Sequence, residues 1–401
     1  MDEIDIYEID QALTKVEKMV GSHNPISERN SELIKDFEAH CFTSGLTKIR
    51  IVKYMRYLRK IAERLGKDFD SATREDIERV VNYIERSDYS PWTKHDYKVT
   101  LKRFYKWLRG GEEYPPEVKW IKTTIKQKDL TLPEGLLTEE EVLKLVESAN
   151  NPRDKAFIIT LYESGARIGE VGGLRIKDVS FERGYARVML RGKTGARNVI
   201  VIAASPYLKS WIQNHPARDD PKSPLWVNLG RGSKKYKAIS YPALAKILKV
   251  VAEKAGLKKR IHPHILRHSR ATFLASKLTE AQMNQVFGWK QGSEMPSIYV
   301  HLSGRDLDDA IMGVYGLKKV KEQKTKLLPK TCPQCREINE IDARFCKICG
   351  MPLDLEVAIE LEQRRRQADE IMNLLLRDPE VVEIVRRKLL EIKGKGQTES
   401  Q

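Results

Sequence analysis

The stretch His264-Ile265-Leu266-Arg267-His268-Ser269 decides how this chain is read. Residues three apart share a helical face, so His264 and Arg267 point the same way and reach one phosphodiester together. Downstream lie Trp289 and the run Ser297-Ile298-Tyr299-Val300-His301, whose tyrosine is a candidate nucleophile. Phosphoryl transfer needs charge around the equatorial oxygens of an in-line transition state, so a second arginine, a lysine and an orienting carboxylate are expected upstream. Ser164-Gly165-Ala166-Arg167-Ile168-Gly169-Glu170-Val171 supplies Arg167 and Glu170, and Arg191-Gly192-Lys193-Thr194-Gly195 supplies Lys193. His264 and His268 stand four apart like a zinc pair, but Ile265 occupies the place of a zincin glutamate. The helix is therefore expected to present His264 and Arg267 to phosphate and to pack His268 inside.

In order and in local context these positions resemble the tyrosine recombinase (integrase) family. Its pattern of Arg, Asp or Glu, Lys, His-x-x-Arg, His or Trp, and Tyr falls on Arg167, Glu170, Lys193, His264, Arg267, Trp289 and Tyr299. The resemblance spans about residues 25–318 and implies the roles. Arg167 and Arg267 grip the non-bridging oxygens with forked guanidinium donors, and Tyr299 forms a 3′-phosphotyrosyl bond. Lys193 gives a proton to the departing 5′ oxygen, His264 is base or proton relay, and Glu170 steadies the site. Trp289 positions and packs, since an indole N–H donates but does not titrate. Tyr315 in Val314-Tyr315-Gly316 is the rival nucleophile, and the context of Tyr299 is the family-like one.

The same resemblance implies a site-specific DNA recombinase working as a tetramer on two duplexes through a Holliday junction, with neither ATP nor catalytic metal. An integrase of an archaeal-type mobile element fits best. A Xer-like chromosome dimer resolvase, a type IB topoisomerase and a DNA-binding regulator without cleavage activity are the alternatives. No Walker-type glycine-rich loop is present in the sequence.

Charge points to the same partner. The 72 Lys and Arg outnumber the 56 Asp and Glu, for a net +16, an excess that favours double-stranded DNA through counterion release. There is no long apolar run, and the acidic start Met1-Asp2-Glu3-Ile4-Asp5 is unlike a targeting peptide. A cytoplasmic, nucleoid-associated protein without a membrane partner is expected.

The expected fold is mainly α with a small antiparallel β-sheet, arranged in order along the chain. After an N-terminal extension (1–24) comes a helical domain (25–130), which the resemblance implies is a core-binding domain that clamps DNA. Its helix from Thr47 to Leu65 carries Ile49, Val52, Met55, Leu58, Ile61 and Leu65 as an apolar stripe. Thr73 caps a second helix and Ser90-Pro91 opens a third. The third buries Tyr97, Leu101, Phe104 and Leu108 and shows Lys94, Lys98, Lys102, Arg103 and Lys106 to a phosphate backbone.

A linker over residues 127–135 leads to the catalytic domain (135–318), opened by the capping box at Thr138-Glu139-Glu140-Glu141. Strands 185–190 and 198–202 form a hairpin around Lys193, residues 216–237 read as loop with a basic Lys234-Lys235-Tyr236-Lys237 cluster, and 306–316 as a helix, which the resemblance implies docks on a neighbouring protomer.

A basic linker (319–330) precedes Cys332-Pro333-Gln334-Cys335 and Cys346-Lys347-Ile348-Cys349, paired knuckles of a small ribbon (331–353). Four thiolates complete a tetrahedral zinc, so this metal is structural. Two charged amphipathic helices and a polar tail (354–401) follow.

Overall fold

The computed structural model describes residues 4–22, 25–124, 135–192, 195–232, 235–293, 295–302, 312, 315 and 325–395. Lys193, Lys234, most of the 127–135 linker, most of the expected 306–316 helix, the first part of the basic linker and the tail from 396 lie outside the described residues. The chain divides into two compact units, Met1–Leu136 with Pro224–Lys246, and Leu137–Ser223 with Ile247–Gln401.

Among the described residues the first unit is built on α1 (Ile9–Gly21), α2 (Glu28–Thr43), α3 (Lys48–Leu65), α4 (Arg74–Arg86), α5 (Pro91–Leu108) and the short α6 (Pro116–Lys119). The segment expected as an extension is part of the core, because Leu13, Val16 and Val20 of α1 are buried with the α3 stripe. Val52, Met55, Leu58, Ile61 and Leu65 of that stripe are buried as expected, and its first residue differs. Ile51 and Tyr54 are buried while Ile49 is 50 % exposed, since a three-to-four spacing accommodates either isoleucine and packing chooses.

Ser90 and the Thr73–Asp76 capping box start their helices as expected. In α5 Leu108 is half-buried against the core, and Tyr105 is buried as well, donating its hydroxyl to the Phe69 carbonyl at 3.0 Å. Three of the α5 lysines are engaged within the chain: Lys94 with the Glu85 carbonyl, Lys98 with the Glu85 carboxylate and Lys102 with the Ile121 carbonyl. Within 224–246, Val227 and Ala238 form an antiparallel bridge inside the expected loop.

The second unit is organised on α8 (Pro152–Ser164). Its middle, from Ala156 to Tyr162, is largely apolar all round and buried all round. Around it lie α7 (Glu139–Ser148), the short α9 (Ile168–Gly172), α10 (Ser205–Gln213), α12 (Pro263–Ala275), α13 (Glu280–Phe287) and α14 (Met295–Leu302), while α11 (Tyr241–Lys254) runs across the division of the chain. The expected hairpin, β2 (Tyr185–Gly192) and β3 (Gly195–Val201), gains a third antiparallel strand, β1 (Val179–Glu182), in the order β1-β2-β3. Buried Glu163 accepts the backbone N–H groups of Ile202, Ala203 and Ala204, tying the end of β3 to α8.

The ribbon belongs to this unit and is anchored to it. Tyr207 of α10 donates to Asp342 at 2.7 Å and accepts the Ile341 N–H at 3.1 Å, while Lys155 of α8 also binds Asp342. The described end of the basic linker is fastened too. Thr325 donates to Glu139 at 2.7 Å, Lys326 pairs with Glu140, and Leu327 is buried. Helices Leu355–Leu375 and Pro379–Lys395 follow, the first with Val357 buried and much of its remaining apolar surface exposed.

Candidate active site

Helix α8 ends at Gly165, whose φ of 58° closes the turn. A β-carbon there would lie 2.3 Å from the Phe287 ring, so only glycine fits. The turn delivers Arg167 to the N-cap of α9. Its backbone N–H donates to Glu170 at 2.9 Å and its guanidinium at 3.1 Å, while the side chain stays 40 % exposed. Glu170 is buried. Burial works to raise its pKa, but the Arg197 guanidinium, the Arg167 N–H and the Arg167 charge together hold the carboxyl below the usual range.

Arg197 was not among the residues expected here. It stands on β3 and grips both Glu170 oxygens, at 2.7 and 3.2 Å, with Nε on the Val286 carbonyl at 3.0 Å. The Lys193 hairpin leaves the sheet beside this pair. Gly192 and Gly195 face each other in register, and a β-carbon on Gly192 would strike Glu170 at 2.3 Å. Lys193 itself lies outside the described residues.

Helix α12 places Arg267 at the centre. Its Nη1 donates to the Gly165 carbonyl at 2.8 Å and its Nη2 to the Phe287 carbonyl at 2.9 Å, which fixes the guanidinium plane. Burial, followed by the nearby Arg167 charge, brings its pKa down to about 10, so it stays protonated at neutral pH. The guanidinium lies 5.2 Å from the Phe287 ring centre and 5.5 Å from that of Trp289. Tyr299, buried on α14, stacks on the far partner of this group. Its ring is 5.5 Å from the Trp289 indole and nearly parallel to it, at 9°. Burial raises the pKa of the phenol and Arg267 opposes the rise.

Of the two histidines of the opening stretch, it is His268 whose surroundings differ from the expected ones. His264 is exposed on α12, with a pKa lowered by partial burial, Arg267 and Arg167. His268, expected to be packed away, sets Nδ1 2.6 Å from the Tyr299 hydroxyl. Burial, His264 and Arg267 push its pKa down to about 4. Periodicity missed this because the phenol that meets His268 enters from a helix 31 residues later. Tyr315, the rival nucleophile, is 74 % exposed.

The four late cysteines gather as expected from their spacing. All four sulfurs lie within 4.8 Å of one another, and none is in a disulfide. Sulfurs on a tetrahedral zinc at about 2.3 Å are about 3.8 Å apart, so this donor set fits a metal ion. Both knuckles turn alike: Arg336 N–H returns to the Cys332 carbonyl and Gly350 N–H to that of Cys346, each at 2.9 Å and each with positive φ.

Residues 136–305, which contain this whole constellation apart from the cysteines, match the phage integrase family. Tyrosine recombinase XerA of Pyrococcus furiosus is 29 % identical over 284 residues, covering 70 % of this chain and 93 % of that protein. A tyrosine recombinase of Thermosipho africanus is 28 % identical over 291 residues, covering 70 % and 97 %. Among solved structures, XerH site-specific recombinase bound to a palindromic difH substrate shares the fold with a TM-score of 0.54 at 20 % identity, covering 77 % of this chain and 98 % of that one. A lambda integrase dimer bound to a core site shares it with a TM-score of 0.53 at 14 % identity, covering 73 % and 80 %. The two curated recombinases are matched almost end to end while the rest of this chain lies outside the match. Residues 136–305 thus match the phage integrase family, and about 70 % of the chain is similar to tyrosine recombinases.

Proposed function

We propose that this protein cuts and rejoins double-stranded DNA with Tyr299 as nucleophile. The phenolic oxygen attacks phosphorus, the bond to the 5′ oxygen breaks, and a 3′-phosphotyrosyl intermediate holds the energy needed for rejoining. Arg167 and Arg267 balance the charge that grows on the non-bridging oxygens. Glu170, gripped by Arg197, keeps Arg167 in place, and Lys193 protonates the departing oxygen. The carrying observation is that Tyr299 and Arg267 flank one indole while Arg267 is locked by two backbone carbonyls. A guanidinium fixed before substrate arrives costs no reorganisation during the reaction.

The full assembly in this reading is a tetramer exchanging strands between two duplexes, as a lambda integrase tetramer is seen bound to a Holliday junction. The ion at Cys332, Cys335, Cys346 and Cys349 is a structural zinc, since four thiolates leave it no open position. A place at the nucleoid follows from the DNA substrate. Among the described residues no helix is long and apolar enough to cross a membrane. Chromosome dimer resolution is the second reading, favoured by the names of the archaeal relatives.

The test uses a nicked duplex that traps the covalent complex, built on a sequence selected from a random pool by the Tyr299→Phe protein. Native protein and Tyr315→Phe should form the adduct and Tyr299→Phe should not. An adduct lost with Tyr315→Phe and kept with Tyr299→Phe would refute the assignment.

A further inference from the structure

Resting on that reading, we propose that His268 rather than His264 takes the proton of Tyr299 as the phenol attacks. Tyr299 is 1 % exposed, and among the described residues the side chain in hydrogen-bond contact with its hydroxyl is His268. Nδ1 of His268 stands 2.6 Å from the hydroxyl, and the two rings are stacked at 5.9 Å. His264 offers no such contact among the described residues. Its ring centre lies 6.3 Å from that of His268, one turn back on the same helix.

The surroundings keep the acceptor ready. His264 and Arg267 on α12 and His262 at its N-cap all disfavour a charge on His268, and Arg267 in turn faces Arg167, Glu170, Arg197 and Tyr299. His268 is therefore neutral at physiological pH, with a lone pair on Nδ1 for the phenolic proton. In the step itself the Oη–P bond forms, the P–O5′ bond breaks, the phenolic proton passes to Nδ1, and the leaving oxygen takes a proton from Lys193. The scissile phosphate brings negative charge beside Arg267 and His264, which offsets the cationic surplus and makes the new imidazolium less costly. Rejoining runs the same transfer backwards.

The same nicked duplex tests this through a pH profile. General-base loss costs about 10²–10⁴-fold, and a phenol of pKa about 10 must otherwise ionise in advance. Native protein should therefore form adduct at a nearly constant rate between about pH 6 and 8, whereas His268→Ala and His268→Asn should be slower by about that factor and rise about tenfold per pH unit. Asparagine retains an acceptor near the Nδ1 position but takes no proton, so it separates proton transfer from mere positioning. A native rate and flat profile in His268→Asn would overturn the proposal, as would a tenfold slope appearing in His264→Ala instead. Failure of native protein to form any adduct counts against the function itself. The free protein then still decides the histidine: ¹⁵N–¹H spectra at neutral pH should show His268 as the Nε2–H tautomer with a Nδ1 signal that moves in Tyr299→Phe, and an Nδ1–H tautomer would overturn the assignment.

Discussion

The pocket around Arg267 and the cysteine ribbon sit in one compact unit but are held by opposite means. In the pocket the buried charged groups each have several partners. Arg267 is fixed by two carbonyls and two aromatic faces, and Glu170 by two guanidiniums and a backbone N–H. The ribbon spans few residues, has two strands of two residues each, and gathers its interior around four sulfurs. A pocket built on a full hydrophobic core tolerates the loss of one bond by leaning on the rest. A ribbon without such a core rests on its metal.

Metal removal should separate the two most strongly. Structural zinc contributes apparent binding free energies of about 10–16 kcal/mol in small peptide sites, so chelation or Cys346→Ser should unfold residues 331–353 while α8 and α12 keep their native protection. Hydrogen exchange read segment by segment checks this, and equal loss of protection in both regions would show that the ribbon supports the pocket. Within the pocket the largest effect belongs to Arg267→Ala. Breaking a buried charge network costs about 3–5 kcal/mol, and here two buried carbonyls lose their donor. Chemical denaturation should register that loss, with adduct formation falling beyond it.

Arg197→Ala should come next. It leaves Glu170 buried with Arg167 as its remaining guanidinium partner, so the carboxyl pKa should rise, and an interaction of a charged hydrogen bond is worth about 1.5–3 kcal/mol. Arg197→Lys should restore the charge but not the two-oxygen grip. Its adduct rate should therefore fall between native and alanine, and a rate equal to native would reduce Arg197 to a point charge.

These cases show why parts of the molecule were legible in the sequence and parts were not. Arg167, Glu170, His264 and Arg267 are short-range patterns, three residues apart on helical turns, and local spacing carries them. The cysteine knuckles are equally local. Arg197 was missed because its partner lies 27 residues away across a hairpin. The available signal was a buried-type carboxylate beside a glycine-flanked turn, with an arginine on the returning strand. β1 was missed because four residues with one buried side chain give too short an alternation. The α1 helix was read as an extension although Leu13, Val16 and Val20 already marked one face. The lysines of α5 illustrate the converse: sequence gave their positions on a helix, but Glu85 and the Ile121 carbonyl, which engage three of them, come from other segments.

A smaller effect tests how firmly the ribbon is seated. Asp342 is held by the Tyr207 hydroxyl and by Lys155. Asp342→Ala should cost about 1–2 kcal/mol of docking, the worth of a hydrogen-bonded charge in a partly buried seam. Exchange in residues 331–353 should quicken without metal loss, and the adduct rate should stay native. A drop in that rate would mean that ribbon placement is transmitted to Tyr299.

The last signal is the pH dependence that His268 writes into stability. Its folded pKa of about 4 lies below the ordinary value of about 6.5. Between those two values the unfolded chain binds a proton that the native imidazole refuses, so stability falls as pH drops through that window and is fully retained above it. Glu170 acts lower down: its depressed carboxyl contributes stability above the ordinary carboxylate range that is lost as pH falls through its folded pKa. His268→Asn should therefore flatten the upper part of the acid limb and leave the lower part in place, while Arg197→Ala should do the reverse. Urea midpoints measured across the window distinguish the two. An upper limb unchanged by His268→Asn would mean that the imidazole beside Tyr299 titrates as it does in water, and the cationic surplus that keeps it neutral would have to be given up.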